Sequence, residues 1–488
     1  MAEVRSKQSA RSRSLAVAAA FGLIAAIAHA QPPSSVAGTW TGAIETPVGR
    51  LGIVVRLQPG DNDTWSGTID IPQQGAKAVP LADVTVKAAE VSFKIAGPPG
   101  DPTIRLTLSE DAARMSGTLA QGGGTIPVSL ARGDTPPPPP VARKRPQTPA
   151  PPFPYLEEQV TYRNDAANVQ LAGTLTRPQS SGRFPAVLLI TGSGQQDRDE
   201  TLFDHKPFLV WADYLTRQGI AVLRVDDRGV GGSSRGPQAP TSSDFAHDVR
   251  ASVAFLQKRP DIDPKRIGLI GHSEGAMLAA MVAATSPDVA FIVMLAGPGV
   301  PGDQILIAQA TQLFRAQGVD EATIAWDRSV RERVFAVLKA ETDGKPNEPR
   351  RQALVDEVAS AKPDGPGVPD GAAARTLAET LLRAASDPWM RFFLTFDPRP
   401  TLGKVRCPVL AIGGERDVQV VPRENLPAIE RALREGGNRD VRVVTMPGLN
   451  HLFQTSTTGM PTEYATIEET ISPAVLKLVS DWIAQRTS

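Results

Sequence analysis

Five residues, Gly271-His272-Ser273-Glu274-Gly275, stand between an apolar run, Ile267–Ile270, and an alanine-rich segment, Ala276–Ala283. The run before them reads as a buried strand, and the segment after them is rich in strong helix formers. A chain that passes from strand to helix so quickly must turn sharply, and glycines at both ends of the pentapeptide free the backbone to do so. Such a junction holds its middle serine on a strained turn, with the hydroxyl raised above a sheet edge. The helix N-terminus beside it favours developing negative charge. G-x-S-x-G is a weak pattern by itself, and a plain Ser-Gly turn is the alternative; the strand and helix around it give it weight.

The wider pattern agrees with such a junction. From about Val160 onward, apolar runs alternate with helix-length segments: Phe184–Ile190, Ile220–Val225, Ile267–Ile270, Val289–Leu295, Val409–Ile412 and Val441–Val444. Continuous apolar strands separated by helices predict an α/β fold with a mostly parallel sheet covered on both faces. Val160–Thr176 adds two alternating strands suited to an antiparallel edge, for about eight strands in all. Between the sixth and seventh strands, at roughly residues 299–397, the sequence becomes helical and polar. A stretch of that length is too long for a connection and reads as a helical cap.

Residues 31–133 have a different texture, with short alternating runs such as Leu51–Leu57 and Ile104–Leu108 between Gly, Pro, Asp and Asn clusters. A loose repeat, Trp40-Thr-Gly42, Trp65-Ser-Gly67 and Met115-Ser-Gly117, fits strands that pack a bulky side chain inward and then bend. A small up-and-down barrel or sandwich is expected. Residues 134–154 are proline-rich and read as a semi-rigid linker to a domain over 155–488. At the start, Arg5, Lys7, Arg11 and Arg13 precede the apolar run Leu15–Ala28 and the small-x-small pattern Ala28-His29-Ala30. Residues 1–30 therefore read as a secretory signal peptide, too short in its apolar part for stable membrane insertion. The expected location is the periplasm or the exterior.

Charge excludes some partners. The 52 basic and 52 acidic residues balance, and without residues 1–30 the chain carries 48 and 51, a net −3. Nothing in that balance points to nucleic acid or to an anionic surface. Cys407 is the single cysteine and sits in an apolar run, so it reads as a small buried hydrophobe rather than a reactive thiol. No metal-ligand spacing and no cofactor motif is found, and the glycines at 192 and 194 lack the residues of a phosphate loop.

A serine hydroxyl needs a base. Beyond residue 30 the histidines are His205, His247, His272 and His451. His272 adjoins the serine and is expected to point away from it; His205 and His247 fall in segments read as helical before the junction. His451 lies just past the last strand, where the order serine, acid, histidine places a base. After the seventh strand, Glu415 and Asp417 could each serve as the acid. Asp417 is favoured because the loop can there turn back towards His451, with Glu415 as a solvated or salt-bridged neighbour. An oxyanion would be held by the backbone N–H groups of Glu274 and of Ser193 in the loop Thr191–Gln195. Asp226–Ser233 reads as structural, with Arg228 pairing acids to brace that loop, and Asp197–Glu200 as part of the same network or of the pocket rim.

Together, Gly192–Asp199, His205-Lys-Pro-Phe208, Asp226–Gly231, Gly271–Gly275 and Gly413–Asp417 resemble bacterial alpha/beta-hydrolase carboxylesterases related to the prolyl oligopeptidase and dienelactone hydrolase branches. The resemblance spans about Tyr155–Gln485, and the Trp-x-Gly module is similar to an extra N-terminal domain of some of these esterases. It implies a Ser273–Asp417–His451 triad acting on small-molecule esters with short or medium acyl chains. The sequence departs from many hydrolases in having Thr191, where they carry His-Gly. Two other readings are a peptidase or amidase with the same triad, and a cell-envelope binder with a vestigial hydrolase. The β module fits a lid, an envelope tether or a homodimer contact.

Overall fold

The computed structural model describes residues 36–487 except 47–48, 62–63, 72–75, 96–101, 122–123, 134–143, 237–238, 342–344, 362–367 and 369. The segment read as a signal peptide, 1–30, lies outside the described residues.

The N-terminal module is a closed barrel. Its antiparallel strands β1 (Gly38–Thr46), β2 (Gly49–Pro59), β3 (Trp65–Ile71), β4 (Ala76–Lys87), β5 (Glu90–Ile95), β6 (Thr103–Leu108), β7 (Arg114–Gln121) and β8 (Gly124–Arg132) pair in chain order, and β8 returns to β1. Trp40, Ile53, Phe93 and Ile104 are fully buried inside it, so side chains fill the barrel. The repeat glycines have a steric reason. A Cβ at Gly42 would stand 1.9 Å from the Ser129 carbonyl oxygen, and one at Gly117 2.0 Å from that of Arg105. Only a residue without a side chain lets these strands approach so closely.

The second domain holds an eight-stranded sheet. Its strands are β9 (Tyr155–Asn164), β10 (Val169–Pro178), β11 (Phe184–Ile190), β12 (Ala221–Val225), β13 (Ile262–His272), β14 (Phe291–Leu295), β15 (Val409–Gly414) and β16 (Val441–Met446), in the order β16-β15-β14-β13-β11-β12-β10-β9. The six strands β11 to β16 run parallel, and β10 and β9 form the antiparallel edge. The helices are α1 (Pro207–Arg217), α2 (Ser242–Gln257), α3 (Glu274–Ala283), α4 (Gly302–Ala316), α5 (Glu321–Lys339), α6 (Glu348–Ser360), α7 (Gly371–Ala384), α8 (Pro388–Thr395), α9 (Arg399–Leu402), α10 (Pro422–Glu435), α11 (Pro461–Tyr464) and α12 (Pro473–Thr487). Successive strand residues point to opposite faces, so both faces need cover. Leu188, Leu223 and Leu269 pack with residues of α2, α3 and α10, whereas Val187, Val222 and Ile270 pack with those of α1 and α12.

The insertion between β14 and β15 carries α4–α8, and the one-turn α9 leads from it into β15. Four of these helices start on an acidic or amide cap: Asp320, Asn347, Asp370 and Asp387 each accept a backbone N–H three residues on. The helices share a small core that includes Val334, Phe335, Leu338, Leu354 and Ala378. Glu341 is buried there between Arg351 (2.6 Å) and Arg391 (2.9 Å), and hydrogen bonds from Arg351 hold its carboxyl down at about 2.

The proline-rich stretch is not a free spacer along its second half. Arg145 donates to the carbonyl oxygens of Phe203 (2.7 Å), Ile467 (2.8 Å) and Ala465 (3.0 Å). Gln147 donates to Ile471 O (2.7 Å) and accepts from Thr470 N (2.6 Å). Composition announces an extended chain, but these two polar side chains find loop carbonyls and amides that would otherwise need water. Cys407 is half-buried, and burial pushes its thiol up to about 12, which keeps it inert.

Leu269 is fully buried in the central strand, while Leu156 on the edge strand is 41% exposed. Leu269→Ala is expected to lower stability by about 2–5 kcal/mol, and Leu156→Ala by under about 0.5 kcal/mol. Urea unfolding of the two variants checks this.

Candidate active site

β13 runs into α3 through one residue, Ser273, whose backbone lies at φ 53° and ψ −118°. A serine adopts this region only when its surroundings hold it there. Two glycines do so. A Cβ at Gly271 would lie 2.1 Å from the Gly275 carbonyl oxygen, and one at Gly275 would lie 2.2 Å from that of Ile190. The Ser273 N–H extends the sheet by bonding Leu295 O at 2.8 Å, so the turn is tied to β14 as well as to β11.

His451 and Asp417 come together from the loops after β16 and β15. His451 Nδ1 is 2.7 Å from Asp417 Oδ2, and both side chains are buried. The other carboxylate oxygen of Asp417 accepts the backbone N–H groups of Gln419 (2.8 Å) and Val420 (2.9 Å). Those two donors fix the carboxylate, so Oδ2 is left to orient the imidazole. Gly414 permits this meeting, because a Cβ there would strike Leu449 O at 2.4 Å. Glu415 is exposed and accepts the Gly448 N–H at 2.8 Å, outside the pair.

The loop after β11 is held by carboxylates. Asp227 accepts Thr191 Oγ1 (2.8 Å) and Gln196 N (2.9 Å), Asp226 accepts Arg198 N (2.9 Å), and Glu200 accepts Gly192 N (2.8 Å). Bracing was expected from Arg228, but Arg228 pairs with Asp248 of α2, and the acids bind the loop directly. Arg198 is the arginine that joins in, bonded to Asp226. Burial, with Glu200 and Glu274 nearby, pushes the Asp227 carboxyl up to about 7. Ser193 is exposed, and among the described residues no acceptor is bonded to its N–H or to that of Glu274. The Glu274 side chain is buried and accepts Ser242 Oγ (2.6 Å) and Trp389 Nε1 (2.8 Å), so α8 of the insertion is fastened to the turn.

One histidine differs from expectation. His205 does not sit on a helix: it precedes α1 and is buried, with Nδ1 2.9 Å from Thr470 Oγ1 and Nε2 3.1 Å from Tyr464 O. Burial and the nearby Arg145 depress it to about 4. His247 lies on α2 as expected. The sequence reading also passed over Asn450, fully buried beside His451. Its Oδ1 accepts Leu452 N (3.0 Å) and Gln454 N (2.9 Å), which closes the histidine loop. The signal available was an asparagine directly before the histidine, a residue type that turns its side chain onto nearby backbone N–H groups.

The sequence profile of the Alpha/beta hydrolase family matches residues 187–466. The chain belongs to that family. Over 300 residues it is 28% identical to Esterase EstD of Thermotoga maritima, an alignment that covers 61% of this chain and 62% of EstD. It thus spans about three fifths of that relative's length. Among solved structures, the Pyrococcus furiosus esterase Pf2001 aligns at 15% identity and a TM-score of 0.41, covering 71% of this chain and 98% of Pf2001. An alpha/beta hydrolase from Penicillium, GrgF, aligns at 17% identity and a TM-score of 0.42, covering 68% and 99%. The eight-stranded barrel precedes the hydrolase domain in this chain.

Gly275→Ala forces a Cβ against the Ile190 carbonyl and is expected to cost about 1–3 kcal/mol through overpacking, measured as a lower urea midpoint. His205 is neutral in the folded hydrolase, so its contribution to stability is complete above its ordinary 6.5 and is lost as pH falls through about 4. The melting temperature of His205→Gln is therefore expected to fall less between pH 7 and pH 4 than that of the unaltered protein.

Proposed function

We propose that this hydrolase is a serine carboxylesterase acting through Ser273, His451 and Asp417. The observation that carries the reading is the buried Asp417–His451 pair at 2.7 Å in a domain whose strand-to-helix turn presents Ser273 at φ 53°. Ser273 Oγ attacks the ester carbonyl carbon as His451 Nε2 takes its proton. Asp417 stays ionised, keeps the Nδ1 proton in place and stabilises the imidazolium. The backbone N–H groups of Ser193 and Glu274 hold the oxyanion, and their geometry costs no reorganisation because the loop and the helix end are already fixed. His451 then returns the proton to the leaving alkoxide, and water hydrolyses the acyl-enzyme by the same steps.

Ester substrates are favoured by the 28% identity to an esterase. A pocket lined by Gly192, Gly194, Asp227, Glu274, Phe245 and Leu278 lies beside Glu274 and the glycines that flank Ser193. The basic, then apolar, start of the chain supports export.

Ser273→Ala is expected to lower kcat on p-nitrophenyl acetate by on the order of 10⁴-fold or more and to abolish fluorophosphonate labelling. Unchanged hydrolysis by that variant would remove Ser273 from the reaction.

A further inference from the structure

His272 belongs to none of the groups assigned so far, yet its ring lies between the two loops that carry them. The residue is 7% exposed. Its Nδ1 is 2.9 Å from Glu200 Oε1, and its Nε2 is 3.1 Å from the backbone carbonyl oxygen of His451. The same Glu200 oxygen accepts the Gly192 N–H at 2.8 Å. A chain of three hydrogen bonds therefore joins the loop after β11 to the loop after β16, through two buried side chains. The His272 and His451 rings also pack together, with centroids 4.8 Å apart and a 50° tilt.

A carbonyl oxygen only accepts, so Nε2 of His272 carries a hydrogen. Nδ1 faces a carboxylate oxygen that already accepts from Gly192, and a hydrogen there completes an imidazolium. Burial opposes that charge. The Glu200 carboxylate and its hydrogen bond, the His451 carbonyl and the nearby Asp417 outweigh burial, and the group is held above the ordinary histidine range.

A buried ion pair is a poor device for stability, since well-packed apolar side chains often serve as well. What apolar side chains cannot do is bond Gly192 N–H at one end and His451 O at the other. We propose that Glu200 and His272 are positioning residues: a buried carboxylate–imidazolium pair that locks the oxyanion loop and the base loop in register. The inference rests on Ser273 and His451 as nucleophile and base. A displacement of about 1 Å between such groups is enough to cost on the order of 10²-fold in rate. Neither residue touches substrate; Glu200 acts through Gly192 and its neighbour Ser193, and His272 acts through His451.

The test uses the full chain and p-nitrophenyl acetate, with kcat expressed per site labelled to completion by a fluorophosphonate. Glu200→Gln keeps an acceptor for Gly192 but removes the charge that holds the second proton on His272; Glu200→Ala removes both. Glu200→Gln and His272→Gln are expected to lower kcat per labelled site by about 10- to 100-fold with KM within threefold. Glu200→Ala is expected to fall further, so that the glutamine variant is a partial rescue. The melting temperature of Glu200→Gln should stay within a few degrees of the unaltered protein. If both glutamine variants keep kcat per labelled site within threefold, the proposal is overturned. It is equally overturned if activity is lost only in step with the labelled fraction, which is what a purely structural role gives. Failure of the unaltered protein to label at Ser273 would instead overturn the nucleophile assignment, and this inference with it.

Discussion

The backbone turn at Ser273 is the constraint on which the rest of the hydrolase domain is arranged. Its positive φ is unfavourable for a serine and survives because its neighbours leave no other conformation. Gly271 packs on Gly275, Gly275 packs on the end of β11, and the Ser273 N–H bonds the end of β14. Those contacts exist only if the central parallel strands end level with one another. The same levelness brings the loops after β11, β15 and β16 to one rim, the usual place for a site in an open parallel sheet.

Irregular loops packed at such a rim carry backbone N–H groups that burial would leave unpaired, and each must find a partner. Here carboxylates supply many of the partners. Asp227, Asp226 and Glu200 take amides of the loop after β11, and Asp417 takes two amides of its own turn before it meets His451. A carboxylate has more acceptor sites than a single hydrogen bond uses, so one side chain can satisfy a loop and still address a second group. The scaffolding of these loops is thereby done largely by one residue type. Glu274 extends this outward, since its side chain fastens Trp389 of the helical insertion to the residue after Ser273.

Much of this was legible in the sequence. The parallel sheet, its antiparallel edge, the position of the helical insertion and the strand–serine–helix turn all follow from patterns a few residues to a few tens of residues long. So do His451 and Asp417 as residues worth pairing, because chain order singles out one of four histidines and the reach of the loop after the seventh strand favours Asp417 over Glu415. Less legible were the supports. Arg228 looked like the natural brace for the loop after β11, because an arginine among acids suggests an ion pair; its partner turned out to be Asp248 on α2. His205 looked helical because it lies just before a helix. The second half of the proline-rich stretch looked like a spacer because composition does not reveal that Arg145 and Gln147 meet the carbonyls near residue 470.

By itself the sequence determined the local devices: which runs become strands, where the chain must turn, and that Ser273 is presented at a helix start. Hydrophobic period and glycine placement act over short distances, so they can be read without knowing the fold. Tertiary structure alone decided which buried polar groups meet. Glu200 and His272 are 72 residues apart, and His272 and the His451 carbonyl are 179 apart. A hydrogen bond is made only when donor and acceptor come within about 3 Å at the right angle. No pattern along the chain encodes that meeting, and around Ser273 it depends on how the loops at the rim pack.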